Sequence, residues 1–99
     1  MAWMYILECA DGSYYVGSTK DLEQHTLQHQ NGTGAQFTSR RLPVKLVYSE
    51  EFEHISEAYF REKQVQNWSR AKREALIQGK NDLLPELAKK EFGKKKADL

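Results

Sequence analysis

The chain has 99 residues, 15 Lys plus Arg against 14 Asp plus Glu, and 39% apolar residues, a profile that fits one globular domain and leaves no room for a second. No run approaches the about 18 apolar residues of a membrane span, the start MAWMYILECADG has neither a basic leader nor a small-residue cleavage site, and the single Cys9 cannot close an internal disulfide. A cytoplasmic protein that makes no membrane contact is therefore expected.

In chain order, Trp3 to Cys9 is rich in aromatic and branched residues, Asp11-Gly12-Ser13 has turn composition, and Tyr14-Tyr15-Val16 resumes the aromatic run, which predicts a β-hairpin. Ser18 with Asp21 three residues on resembles a capping box, opening a polar helix from about Lys20 to Gln30 that Asn31-Gly32-Thr33-Gly34 stops. After Pro43, Val44, Leu46 and Tyr48 alternate with Lys45 and Val47 as a third strand ending near Phe52. Ser56 is the expected N-cap of a second helix through Trp68, and Ser69 caps a third that Gly79 closes. Asn81 to Phe92 allows a last short helix before a Lys-rich tail. The order β, β, α, β, α, α, α predicts an α+β domain with a three-stranded antiparallel sheet flanked by helices.

The near-zero net charge hides a gradient. Residues 1–60 hold four basic and eight acidic side chains, residues 61–99 eleven and six. The basic half could follow a phosphate backbone or form a solvated helical face. On the second helix, Ile55, Ala58, Tyr59 and Val65 share a face with Glu62 near its centre. A carboxylate aimed inward needs a cation, a metal ion or several hydrogen-bond donors, unless it only marks the wet edge of the helix. His25 and His29, four apart on helix one, could handle protons or phosphate, or with Glu62 ligate zinc; the spacing also suits a merely satisfied pair. Tyr5 and Tyr15 lie ten residues apart across the hairpin, so their hydroxyls could meet, and Gly17 would allow a close approach to the backbone or simply supply a turn.

Trp3-Met4-Tyr5 and Tyr15-Val16-Gly17, followed by Pro43 to Tyr48, Ser56-Glu57-Ala58 with Arg61-Glu62-Lys63-Gln64, and Trp68 to Lys72, resemble the GIY-YIG nuclease superfamily, and in particular its small stand-alone bacterial proteins. The resemblance covers residues 3 to about 84, so residues 1–84 would form the GIY-YIG domain and 85–99 a C-terminal helix and basic tail. It implies an α/β sandwich on a three-stranded sheet and a metal-dependent endonuclease acting on DNA, with RNA left open; separately, a monomer is expected. Tyr5 and Tyr15 match the motif tyrosines, one of which helps to activate water. Glu62 matches the family's metal-binding carboxylate, for Mg²⁺ or Mn²⁺ bound weakly without substrate, and His29 matches a position that serves phosphate or proton transfer. The family's helix-one Arg falls at His25, whose imidazole offers neither the permanent charge nor the bidentate fork of a guanidinium, which weakens contact with phosphate; the alternative is a nucleic-acid-binding module with a degenerate nuclease site. Gly17, Lys20, Arg40, Arg41, Lys63, Arg70 and Lys72 are the candidate nucleic-acid contacts, and Glu74 stands loosely where some members carry Asn.

Overall fold

The computed structural model describes residues 1–79; the helix expected over Asn81 to Phe92 and the tail of 85–99 lie outside the described residues. Met1–Gln66 form one compact unit and the chain from Asn67 a second. In the first, β1 (Ala2–Glu8), β2 (Tyr14–Thr19), α1 (Leu22–Gln30), α2 (Gln36–Ser39), β3 (Lys45–Phe52) and α3 (Ile55–Gln66) follow one another. The sheet has the order β2-β1-β3, and both pairings are antiparallel. The fold is thus α+β around a three-stranded antiparallel sheet, as the sequence predicts.

The central place of β1 explains its nearly unbroken apolar sequence. Met4, Ile6 and Leu7 have no exposure and Tyr5 has 2%, because a strand paired on both edges and covered on both faces has no polar side to show. Tyr5, Leu7 and Cys9 form a cluster with Val44, against which Tyr15 and Leu22 pack. Burial raises the Cys9 thiol above its ordinary pKa, so that it packs as a small hydrophobe. Met4 and Ile6 point to the opposite face, as do their partners Ser18 and Val16.

Helix α3 lies on that second face. Ser18 bonds Glu62, and Glu50, which stands opposite Met4, is gripped by both Arg61 Nε at 3.0 Å and Arg61 Nη2 at 3.1 Å. Tyr48 Oη donates to the same carboxylate at 2.6 Å. Ala58 and Val65 are fully buried, seven residues apart on the helix, with Glu62 between them on the same side. Tyr59, expected on this face, is 53% exposed, because the buried stripe is narrower than the hydropathy pattern suggests.

Four other local expectations change. Ser18 does not cap α1; it lies inside β2, and Asp21 caps instead by accepting from Gln24 N. Gly17 does not supply a turn after β2 but sits within the strand. The third strand does not keep its alternation, since Ile6 faces Tyr48 while Leu7 faces Leu46, and the shift across Val47 puts Leu46 and Tyr48 on opposite faces. Helix α3 begins one residue before Ser56, where the His54 carbonyl accepts from Glu57 N and Ala58 N and the Glu57 carboxylate accepts from His54 N. In the second unit α4 (Arg70–Ile77) starts at Ser69, whose hydroxyl accepts from Lys72 N, and ends before Gly79 at φ +77°, the left-handed position that favours glycine.

Candidate active site

The register of the hairpin sets the centre of the site. Tyr5 stands opposite Gly17 and Leu7 opposite Tyr15, so the two tyrosines are diagonal neighbours on one face, their ring centroids 6.4 Å apart. The Tyr5 ring lies over Gly17, where an added Cβ would come within 2.6 Å of the tyrosine Cζ and Oη. Gly17 therefore makes room for the Tyr5 phenol rather than for a turn.

His29 completes the aromatic group from the last turn of α1, its ring centroid 5.9 Å from Tyr5 and 5.0 Å from Tyr15. It is only 3% exposed, yet both ring nitrogens are satisfied: Nε2 lies 3.0 Å from Tyr5 Oη and Nδ1 2.8 Å from Thr38 Oγ1. Burial, with a smaller contribution from His25, lowers the His29 pKa and so favours the neutral ring. Burial likewise raises Tyr5, assisted by Tyr15 and Glu62, and raises Tyr15, assisted by Glu62 and opposed by Lys63.

Glu62 reaches this group around the β2 edge. Its Oε1 accepts from Ser18 Oγ at 2.6 Å, and Oε2 accepts from Gln66 Nε2 at 2.9 Å with Lys63 Nζ 3.6 Å away. Gln66 Nε2 also donates to the Val16 carbonyl, at 3.2 Å. Tyr5, Tyr15, Gly17, Ser18, His25, His29 and Glu62 all line one open cavity of about 380 Å³, together with Gln28, Thr33, Gly34 and Ala35.

The expected nucleic-acid contacts divide. Lys20 and Arg40 are exposed. Arg41 is tied to Asp11 at 3.1 Å and to the Phe37 carbonyl at 3.0 Å, with its guanidinium carbon 3.9 Å from the Phe37 ring centroid. Lys63 pairs with Glu62 and lies 5.0 Å from the Tyr59 ring centroid. In the second unit Arg70 bonds Glu74 at 3.0 Å, and Lys72 is buried with its ammonium 4.0 Å from the Trp68 ring centroid. Lys72 is thus drawn out of the set of surface cations by cation–π attraction.

The donor set also bears on the metal. Among the described residues no group of three or more His, Cys, Asp and Glu side chains could hold an ion. A lone carboxylate suits Mg²⁺ or Mn²⁺, which keep waters and share phosphate oxygens. It does not suit zinc, and a His25, His29 and Glu62 zinc site would need a His29 nitrogen that Tyr5 or Thr38 already uses.

Sequence reasoning missed Thr38, which sits on a four-residue helix too short for a periodic pattern, and missed Ser18 and Gln66 as donors to Glu62. The four-residue step from Glu62 to Gln66 was the available signal for the last.

Two tyrosines on a small antiparallel sheet, with a histidine from α1 and a glutamate from α3 around the same edge cavity, define a nuclease-like α+β domain. The chain belongs to the GIY-YIG family: residues 1–75 match the family model described as the GIY-YIG catalytic domain. It is 47% identical over 75 residues to a UPF0213 protein of Staphylococcus saprophyticus, covering 76% of this chain and 92% of that one. A UPF0213 protein of Halobacterium salinarum is 43% identical over 77 residues, which is 78% of this chain and all of the relative. The solution NMR structure of a UPF0213 protein from Bacillus halodurans has a TM-score of 0.51 at 40% identity, covering 79% of this chain and 84% of that one.

Proposed function

We propose that this protein is a metal-dependent endonuclease that hydrolyses the phosphodiester backbone of DNA. The reading is carried by the convergence of Tyr5, Tyr15, His25, His29 and Glu62 on one cavity. A divalent ion such as Mg²⁺ or Mn²⁺, taking one Glu62 oxygen, would neutralise charge on the scissile phosphate. Tyr5 Oη, hydrogen-bonded to His29 Nε2, is the proposed base. It takes a proton from the attacking water as its own proton passes to Nε2; the water oxygen bonds to phosphorus, the ester P–O bond breaks, and the leaving oxygen is protonated by solvent. Neither ionised partner is favoured alone, since burial raises Tyr5 and lowers His29. The relay spares Tyr5 the phenolate, and the positive charge it leaves on His29 would be offset by the negative charge gained at the phosphate in the same cavity. Tyr15, packed against both rings, keeps them in place, and His25 contacts the phosphate at the cavity rim. A cytoplasmic setting suits a chain whose one cysteine is buried.

A second reading, a nucleic-acid-binding module with reduced cleavage, is favoured by the His25 imidazole where the family carries a guanidinium. Both are tested by incubating the protein with branched, nicked and single-stranded DNA in Mg²⁺ or Mn²⁺, with EDTA as control. Metal-dependent nicking supports the hydrolase; retention of DNA without nicking supports the module. Neither outcome on any substrate removes both readings.

A further inference from the structure

His29 is useful to Tyr5 in only one of its two neutral forms, and the bonds around the ring select that form. The Thr38 hydroxyl donates to the Ala35 carbonyl at 3.0 Å. It has a single proton, so toward His29 Nδ1, 2.8 Å away, it can only accept. Nδ1 therefore carries the ring hydrogen. Nε2 keeps its lone pair and accepts from Tyr5 Oη–H at 3.0 Å. The donors run in one direction, from Tyr5 through His29 and Thr38 to Ala35. In the other tautomer Thr38 would have to turn its proton from Ala35 to Nδ1, and Tyr5 would have to accept from Nε2–H.

The surroundings leave the ring little freedom to escape this order. Thr38 is fully buried. Gly34 lies against the imidazole, where a Cβ would stand 2.6 Å from Nδ1. Residues 34–38 thus form a cradle for a ring that α1 supplies.

We propose that Thr38 is a positioning residue for the reaction, holding His29 as the Nδ1–H tautomer so that Nε2 can take the Tyr5 proton. Its catalytic consequence rests on the hydrolytic reading above, whereas the tautomer can be measured without it.

The test is long-range ¹H–¹⁵N correlation of the histidine rings in the full chain near pH 8, for the parent, Thr38→Ser and Thr38→Val, beside DNA cleavage with Mg²⁺. The parent and Thr38→Ser should show His29 as Nδ1–H. Thr38→Val, which keeps the volume without the hydroxyl, should populate Nε2–H and lower kcat roughly tenfold or more with little change in KM, as expected when a catalytic histidine loses its tautomer. Rescue by serine separates positioning from packing. If Thr38→Val does not fold, the parent and Thr38→Ser spectra decide. A parent His29 found as Nε2–H, or a folded Thr38→Val with unchanged tautomer and rate, overturns the proposal. The expected tautomers with no cleavage by any form would leave the tautomer assignment standing and remove the hydrolytic reading instead.

Discussion

At the scale of single residues, Glu62 and His25 carry opposite expectations. Glu62 has donors on both oxygens from Ser18 and Gln66, and a glutamine amide in its place can preserve only part of that set. Glu62→Gln should reduce cleavage by about a hundredfold or more while changing stability by no more than about 1 kcal/mol. Parallel cleavage assays and urea titrations check this, and undiminished cleavage would take Glu62 out of the mechanism. His25 lines the same cavity, but its imidazole offers phosphate neither a permanent charge nor a fork of donors. His25→Arg should raise cleavage or DNA affinity about tenfold. A folded variant with neither gain would show that position 25 is not the missing arginine site. Tyr5, Tyr15 and Glu62 could be singled out from the sequence because strand and helix periods fix which way a side chain points. Thr38 could not, because its importance lies in a partner nine residues away.

At the scale of elements, helix α1 has a polar flaw. Thr26 Oγ1 is buried and, among the described residues, has no hydrogen-bond partner, while the next residue, Leu27, is 52% exposed. Thr26→Val keeps the shape and removes the unsatisfied hydroxyl, so it should stabilise the fold by about 1 kcal/mol. Chemical denaturation reads the change, and a loss of stability would mean that the hydroxyl has a solvent partner. The hairpin and α4 follow from local chemistry: turn residues at 11–13, a serine cap and a terminal glycine. The start of α3 does not, because the His54 carbonyl and the Glu57 side chain share the capping role that residue type assigns to Ser56. The phase of β3 was likewise hidden, since a bulge at Val47 needs a partner strand to be visible.

For the whole molecule, the depressed pKa of His29 links folding to pH. Desolvation by the surrounding fold makes the native ring bind a proton less readily than the unfolded chain does. This contribution to stability is complete above the ordinary histidine pKa of about 6.5 and is lost as pH falls from there through the lower folded value. Thermal unfolding between pH 7.5 and pH 5.5 should show Tm falling, and His29→Phe should show a shallower fall. His25 and His54 are present in both proteins, so the difference isolates His29. Equal slopes would refute the linkage. The sheet order was only partly legible beforehand: the hairpin is local, but the pairing of β1 with β3 joins Ala2 to Phe52, and nothing in either segment alone names its partner.

The position of β2 at the border of the sheet has a consequence for assembly. A side chain on one face and a side chain on the other can share a cavity only where the sheet stops, and Tyr5 and Glu62 meet beside Gly17 and Ser18 for that reason. A border strand also invites a further strand to zip onto it. Here the Gln66 amide occupies the Val16 carbonyl, so one rung of that ladder is taken by the molecule itself. A strand added along β2, from a second copy or another chain, would have to displace Gln66 and would wall off the tyrosines. Keeping the cavity open and resisting edge-to-edge association are thus the same requirement on this strand.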